Sequence, residues 1–234
     1  MFDLNADWSA IASILTADPE LSGKLRARPG LRVPGCWNGF EMGVRAILGQ
    51  QVTVAGATTL AGRLVEKFGE PFSAGNGLTH IFPTSATLAQ ADIASIGLPR
   101  TRARTIRDFA CAVENSQISF DGVMDCDAFL KQLCGIRGIG KWTAQYTAMR
   151  TLGDPDAFPS GDLGLLRALN LATDGELERR AEVWRPWRAY AAMYLWRFGA
   201  RGSRRNMQSS AERSVLPTCS TPARRLGSVL PIPR

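Results

Sequence analysis

The sequence predicts an all-α fold, and three observations carry that prediction. Apolar residues recur at helical spacing from Trp8 to Trp196, glycines and prolines punctuate the intervals between those runs, and strand-like alternation is scarce. Trp8, Ile11, Ile14 and Leu15 mark a first helix, after which the stretch from Pro29 to Pro34 breaks the chain. Phe40, Val44, Ile47 and Leu48 mark a second, closed near Gly49. Leu60, Leu64, Val65 and Phe68 mark a third, ended by Gly69 and Pro71. Thr84 to Ala91 reads as a short helix, and Arg100 to Val113 turns Ile106, Phe109 and Ala110 inward. Asp125 is placed to cap a helix carrying Phe129, Leu130 and Leu133. Beyond Asp162, the residues Leu163, Leu165, Leu166 and Leu169 share a helix, and a segment with Leu177 and Val183 follows. Pro186 suits the first turn of a last helix bearing Tyr190, Met193, Tyr194 and Trp196. Residues 199–234, rich in Arg, Ser, Pro and Gly and without a sustained period, are expected to be a disordered basic tail.

A chain of 234 residues can bury a sizeable core in one domain or two small ones, and its 45% apolar and 21% charged residues are those of an ordinary globular protein. No run approaches the roughly 18–20 apolar residues of a membrane span, and the start, MFDLNAD, is acidic where a signal peptide would be basic. An intracellular, cytoplasmic protein with no membrane partner is expected. The five cysteines are scattered without a CxxC pair, and His80 is the single histidine. That pattern argues against zinc and iron–sulfur centres and for reduced, buried thiols. The net charge of +7 sits in the segment from Arg197 onward, with eight arginines and one acid, Glu212. Residues 1–196 balance 20 basic side chains against 20 acidic ones. Only local clusters in the body, such as Arg100, Arg102, Arg104 and Arg107, can steer a phosphate backbone; the same four residues also read as a solvated helix face.

The stretch from Leu133 to Asp162 carries the chemistry. Gly138-Ile139-Gly140 lies between two apolar-periodic segments and opens a helix at once with Lys141-Trp142-Thr143. Glycines let the backbone turn so that successive amides point outward, and amides at a helix start seat a phosphate. Gly138, Ile139, Gly140, Lys141 and Thr143 are therefore candidate phosphate-binding positions, although an ordinary helix–turn–helix corner would look similar. Backbone carbonyls of Cys134, Ile136 and Ile139 on the outside of such a turn could hold a monovalent cation. Asp162 opens the following apolar helix. That is the position of an N-cap, and it also favours an ionised carboxylate able to stabilise an oxocarbenium-like sugar or to activate water. Trp142 and Tyr146, four apart, share a helix face, and with Trp196 they form either core packing or a stacking pocket for an everted base. An alkylated purine is cationic and is drawn to an electron-rich ring face. Gln50 and Gln51 at a helix corner read as solvated surface or as a wedge filling the gap a flipped nucleotide leaves.

At these residues the chain resembles the helix-hairpin-helix (HhH-GPD) superfamily of DNA glycosylases, and within it the alkylation-repair branch of the AlkA type, DNA-3-methyladenine glycosylase II. The likeness runs from WNGFEMGVRAILGQQVTVAGATTLAGRL through IFPTSATLAQAD and LCGIRGIGKWTAQYTAMR to PSGDLGLLRAL and WRPWRAYAAMYLW, about residues 37–196. It implies a monofunctional hydrolase that flips an alkylated purine (3-methyladenine, 7-methylguanine) out of duplex DNA and cleaves its N-glycosidic bond. Asp162 would be catalytic, with Trp142, Tyr146 and Trp196 lining the base pocket. Relatives that also cut the strand carry a Schiff-base lysine where this chain has Trp142, and Lys141 does not share that face. The resemblance further implies a monomer acting on the nucleoid, no required cofactor, and a structural Na⁺ or K⁺ at the hairpin. The chain starts at what resembles the linker and helix after the family's small mixed α/β N-terminal domain, and Gln51 falls at the wedge position. Two helical subdomains are expected to flank a cleft, residues 37–153 forming one and 1–36 with 154–198 the other, Asp162 at the seam. The rival expectation is a non-catalytic helix-hairpin-helix DNA-binding protein.

Overall fold

Most helix starts in this protein are fixed by a short polar side chain. In the computed structural model, which describes residues 1–73, 77–120 and 125–199, Asp7 caps α1 (Trp8–Leu15), Asp18 caps α2 (Pro19–Ala27) and Asn38 caps α3 (Gly39–Leu48). Thr53 and Thr84 do the same for α4 (Val54–Phe68) and α5 (Ser85–Gln90). Asp125 caps α7 (Cys126–Cys134), Asp162 caps α9 (Leu163–Leu169), and Thr173 forms a capping box with Glu176 at α10 (Asp174–Ala181). Each such cap contributes about 1 kcal/mol. Two long helices lack one: α6 (Arg100–Glu114), opened by Pro99, and α8 (Lys141–Thr151), opened by Gly140. A final helix, α11, spans residues 188–199. The predicted all-α class holds. Two-residue strands β1 (Glu70–Pro71) and β2 (His80–Ile81) add a minimal antiparallel ladder, with Glu70 opposite Ile81 and Pro71 opposite His80.

The helices pack in two groups over one continuous apolar core. In the first, α3 buries Phe40, Val44, Ile47 and Leu48 against α4, α6 and α8, while α5 lies along α6 and α7 against α8. In the second, α1 meets α2 and the 3₁₀ turn Glu182–Trp184, which also contacts α10. Helix α11 ties the N-terminal segment to this group. Tyr194 Oη donates to the Arg28 carbonyl at 2.8 Å and accepts the Leu31 amide at 3.3 Å, and the Tyr190 hydroxyl donates to Asp3. The side chains of Ile11, Leu15, Leu21, Trp184, Tyr190 and Tyr194 are almost wholly buried, each aliphatic one worth about 1.5–3 kcal/mol.

Several details differ from the sequence expectation. Helix α2 exists although only Leu21 and Leu25 give it an apolar stripe, because Asp18 and Pro19 start it and both leucines are buried. Pro186 lies ahead of α11 rather than in its first turn. The cysteines are not uniformly buried: Cys36, Cys111 and Cys126 are half-buried free thiols and Cys134 is exposed. Burial and the Asp154 carboxylate, to which its thiol donates at 2.9 Å, push Cys126 up to about 12, so it stays protonated. No helix among the described residues is long and apolar enough to cross a membrane. Apart from Gly199, the expected disordered tail, Cys219 included, lies outside the described residues.

Candidate active site

The hairpin is built by residues distant in sequence. Gly138 adopts a left-handed φ of +94°, and a Cβ there would come within 2.1 Å of Thr105 Oγ1, so glycine is required by conformation and by space. Thr105, on α6, donates to the Arg137 carbonyl at 3.1 Å, and Gln50 Nε2 donates to the Gly138 carbonyl and to Thr143 Oγ1, both at 2.9 Å. Gly138 and Gly140 are exposed at the surface of this corner, whereas Ile139 is buried and gives its amide to the Ile136 carbonyl at 3.0 Å. Gly140 has no side chain to cap α8. The first-turn amides of Lys141, Trp142 and Thr143 are left as donors at the positive end of a helix of 11 residues.

The predicted phosphate-binding positions are therefore not equivalent. Thr143 is buried and its hydroxyl accepts the Gln50 amide, so it offers a backbone amide and not a hydroxyl. Lys141 Nζ pairs with Glu178 at 2.6 and 2.8 Å across to α10. The two glutamines part ways as well. Gln50 is committed to bracing the hairpin and is no free wedge, while Gln51 is exposed on a left-handed corner with φ of 54°.

Beyond the hairpin, α8 presents Trp142, Tyr146 and Arg150 on one face, one turn apart. The Trp142 and Tyr146 rings stack at 5.4 Å with 4° between planes, and Trp196 of α11 meets Tyr146 edge-on at 6.1 Å and 69°. The loop from α8 to α9 returns against this wall, held where the Phe158 amide donates to Gln145 Oε1 at 3.0 Å. That return places Asp162 between the two indoles. Trp196 Nε1 donates to Oδ1 at 2.8 Å, Trp142 Nε1 to Oδ2 at 3.1 Å, and the Leu165 amide to Oδ1 at 3.0 Å. A carboxylate offers about four acceptor positions. Three are taken by donors that carry no charge, and one remains. Asp162 is only partly buried, with Gly161, Leu163 and Gly164 exposed around it. Among the described residues no ion pair includes Asp162.

Asp162, Trp142, Tyr146 and Trp196 are thus brought together at one place, next to the hairpin. Sequence reasoning missed three members of the same constellation. Gly164 faces Asp162 Oδ1 and Trp196, Gln145 anchors the loop, and Arg150 stands over Tyr146 with its guanidinium carbon 5.6 Å from the ring centroid. Arg150 carried a readable signal, since it continues the Trp142–Tyr146 row by four residues.

Known proteins share this arrangement of sequence. The chain is 41% identical over 201 residues to a Mycobacterium tuberculosis protein named probable bifunctional transcriptional activator/DNA repair enzyme AlkA, covering 84% of this chain and 40% of that one. It is 38% identical over 174 residues to the DNA-3-methyladenine glycosylase 2 of Escherichia coli, covering 73% of this chain and 61% of that one. Against these two relatives the chain spans less than two thirds of their length. Its fold superposes on the solved 3-methyladenine DNA-glycosylase from Archaeoglobus fulgidus with a TM-score of 0.70 at 24% identity, over 83% of this chain and 70% of that one. Residues 1–38 match the AlkA N-terminal domain. The opening segment, expected from sequence to be only the linker and helix that follow that domain, therefore belongs in part to it. Residues 44–188, the greater part of the protein, match the HhH-GPD superfamily base excision DNA repair protein model, and the chain belongs to that superfamily.

Proposed function

We propose that the protein is a monofunctional DNA glycosylase that removes alkylated purines from duplex DNA. The observation that carries this reading is the Asp162 carboxylate, clamped by two indole N–H donors and one amide with an acceptor position left over at an open aromatic corner. A backbone phosphate seats on the uncapped start of α8, and the exposed Gln51 fills the space an everted nucleotide vacates. The base lies against the Trp142–Tyr146–Trp196 wall, whose π faces favour a cation. As the C1′–N bond breaks, its electron pair leaves with the base and positive charge develops on the sugar, where Asp162 stabilises it. Water then supplies the oxygen bonded to C1′, and its proton passes to solvent. A cationic base leaves neutral, so the site needs no separate general acid. Lys141 is held by Glu178, away from the role of a Schiff-base nucleophile.

The backbone carbonyls of Cys134, Ile136 and Ile139 are hard oxygen donors of the kind a monovalent cation takes. The Ile136 carbonyl already accepts the Ile139 amide and keeps a second lone pair. A Na⁺ or K⁺ held there would add positive charge to the phosphate seat. We also propose that residues 37–153 and residues 1–36 with 154–198 act as two subdomains on either side of the DNA, with one monomer per lesion.

The test is release of free base from duplex DNA carrying 3-methyladenine or 7-methylguanine. Release by the wild type and its loss in Asp162→Asn support hydrolysis. A gel shift without release supports a DNA-binding module instead, and a borohydride-trapped adduct supports a lyase.

A further inference from the structure

Among the described residues, one buried side-chain nitrogen lacks a hydrogen-bond partner, and it belongs to a guanidinium. Arg150 is partly buried, and its Nε is shielded from solvent without a hydrogen-bond partner. No ion pair among the described residues includes it. Its polar contact is a long one, Nη1 to Tyr146 Oη at 3.5 Å, and its guanidinium stands over the Tyr146 ring at 5.6 Å. The backbone beneath it is fixed, because the Arg150 carbonyl accepts the Cys36 amide at 2.9 Å. Arginine stays charged at any working pH, and removing such a charge from water without a carboxylate partner is costly. Arg180 and Arg188, as buried or more so, face Asp18, Asp156 or Glu182. Arg32 and Arg102 are half-buried outside any ion pair among the described residues, but neither has a buried guanidinium nitrogen left without a partner as Arg150 does.

The position of this unpaired cation is informative. Along α8 the order is Trp142, Tyr146, Arg150, one helical turn between each, and Trp142 is bonded to Asp162. The aromatic wall therefore has a fixed negative group at one end and a fixed positive group at the other. A sugar beside Asp162 sends its base along the wall toward Arg150. Trp142 and Arg150 approach Tyr146 from opposite directions along the helix, so the guanidinium competes for the π density that would otherwise draw a cationic base.

We infer that Arg150 is a specificity-determining residue that sets the balance between cationic and neutral purines at this site. The inference rests on the glycosylase reading above. Heterolysis of the C1′–N bond sends the electron pair to the base. A cationic alkylpurine leaves neutral, and a neutral purine leaves as an anion that water protonates while its hydroxide part bonds to C1′. In both cases the base becomes more negative in the transition state, which Arg150 favours relative to the bound ground state. Measured from free enzyme and substrate, the two classes diverge. A cationic base still carries part of its positive charge in the transition state and is repelled, whereas a neutral base has become partly negative and is stabilised.

The test compares single-lesion duplexes containing 7-methylguanine and hypoxanthine, the second a neutral purine, with wild type, Arg150→Met and Arg150→Lys. Arg150→Met is expected to lower kcat/KM for hypoxanthine roughly tenfold. For 7-methylguanine it should leave kcat/KM unchanged or raise it, with a lower KM. Arg150→Lys, which keeps the charge, is expected to restore the wild-type ratio. An equal fall for both bases, or an Arg150→Lys ratio matching that of Arg150→Met, overturns the assignment and leaves the glycosylase reading standing. Failure of the wild type to release either base overturns both.

Discussion

Two aspartates in this protein do the same local job and reach opposite ends. Asp18 and Asp162 each N-cap a helix, and each accepts an indole N–H. Asp18 is buried, 6% exposed, and takes the Trp184 Nε1 and an Arg180 guanidinium nitrogen, both at 2.6 Å. Asp162 takes a second indole where Asp18 takes the guanidinium, and it stays open to solvent. The contrast separates two ways of holding a carboxylate. A cation neutralises it and makes it a structural tie between α2 and α10. Neutral donors orient it and leave its charge available to something that arrives later.

The largest break in this symmetry is expected from removing each charge. Asp162→Asn keeps the N-cap, since asparagine caps as well as aspartate, and should change the thermal midpoint little. Base release in single-turnover assays should fall by on the order of 10³. Asp18→Asn should do the reverse. It leaves Arg180 without its partner and costs about 2 kcal/mol in denaturant unfolding, while the folded fraction retains base release.

The same pair differs in its response to acid. Burial raises the Asp18 carboxyl, but hydrogen bonds from Trp184, Arg180 and the Glu20 amide outweigh it and hold the group below the ordinary carboxylate value. A depressed folded value means that the contribution of Asp18 is fully present above the unfolded value of about 4 and is lost as pH falls through the folded one. The stability gap between wild type and Asp18→Asn is therefore expected to be constant near neutrality and to close below about pH 4. A gap that widens on acidification would contradict the ion-pair account.

How much of this was legible beforehand follows the range of the interactions. Caps are local, so Asp125, Asp162 and the helix starts near Thr84 could be read directly, and the Trp142–Tyr146 pair follows from spacing within one helix. What joins Trp196 to Asp162, 34 residues apart, is the return of the loop after α8, which no local pattern encodes. Gln50 illustrates the same limit. From sequence it is a polar corner residue, and its actual partners, the Gly138 carbonyl and the Thr143 hydroxyl, lie 88 and 93 residues away. Arg150 continues the Trp142–Tyr146 row by spacing alone, but that it takes part in no ion pair among the described residues is known only from the fold.

A milder test sharpens the orienting role of the neutral donors. Trp196→Phe removes one N–H from Oδ1 and keeps an aromatic ring beside Tyr146. The Leu165 amide and Trp142 still hold the carboxylate, so a fall of roughly tenfold in kcat is expected, with a smaller change in KM. Trp184→Phe, the matching change at Asp18, should appear in stability and leave kcat alone.

The smallest change probes position without removing any group. Gly164 lies in the first turn of α9, where a Cβ would sit 2.9 Å from Asp162 Oδ1 and 3.3 Å from Trp196 Cδ1. Alanine in a helix normally gains up to about 1 kcal/mol over glycine. Here that gain is offset by the need to move either the carboxylate or the indole by a few tenths of an ångström. Gly164→Ala is expected to leave the thermal midpoint within a few degrees of wild type and to reduce base release severalfold, because the displaced oxygen is the one that accepts both Trp196 Nε1 and the Leu165 amide. Full activity in Gly164→Ala would mean that the carboxylate tolerates displacement, and that its charge matters more than the aim the two indoles give it.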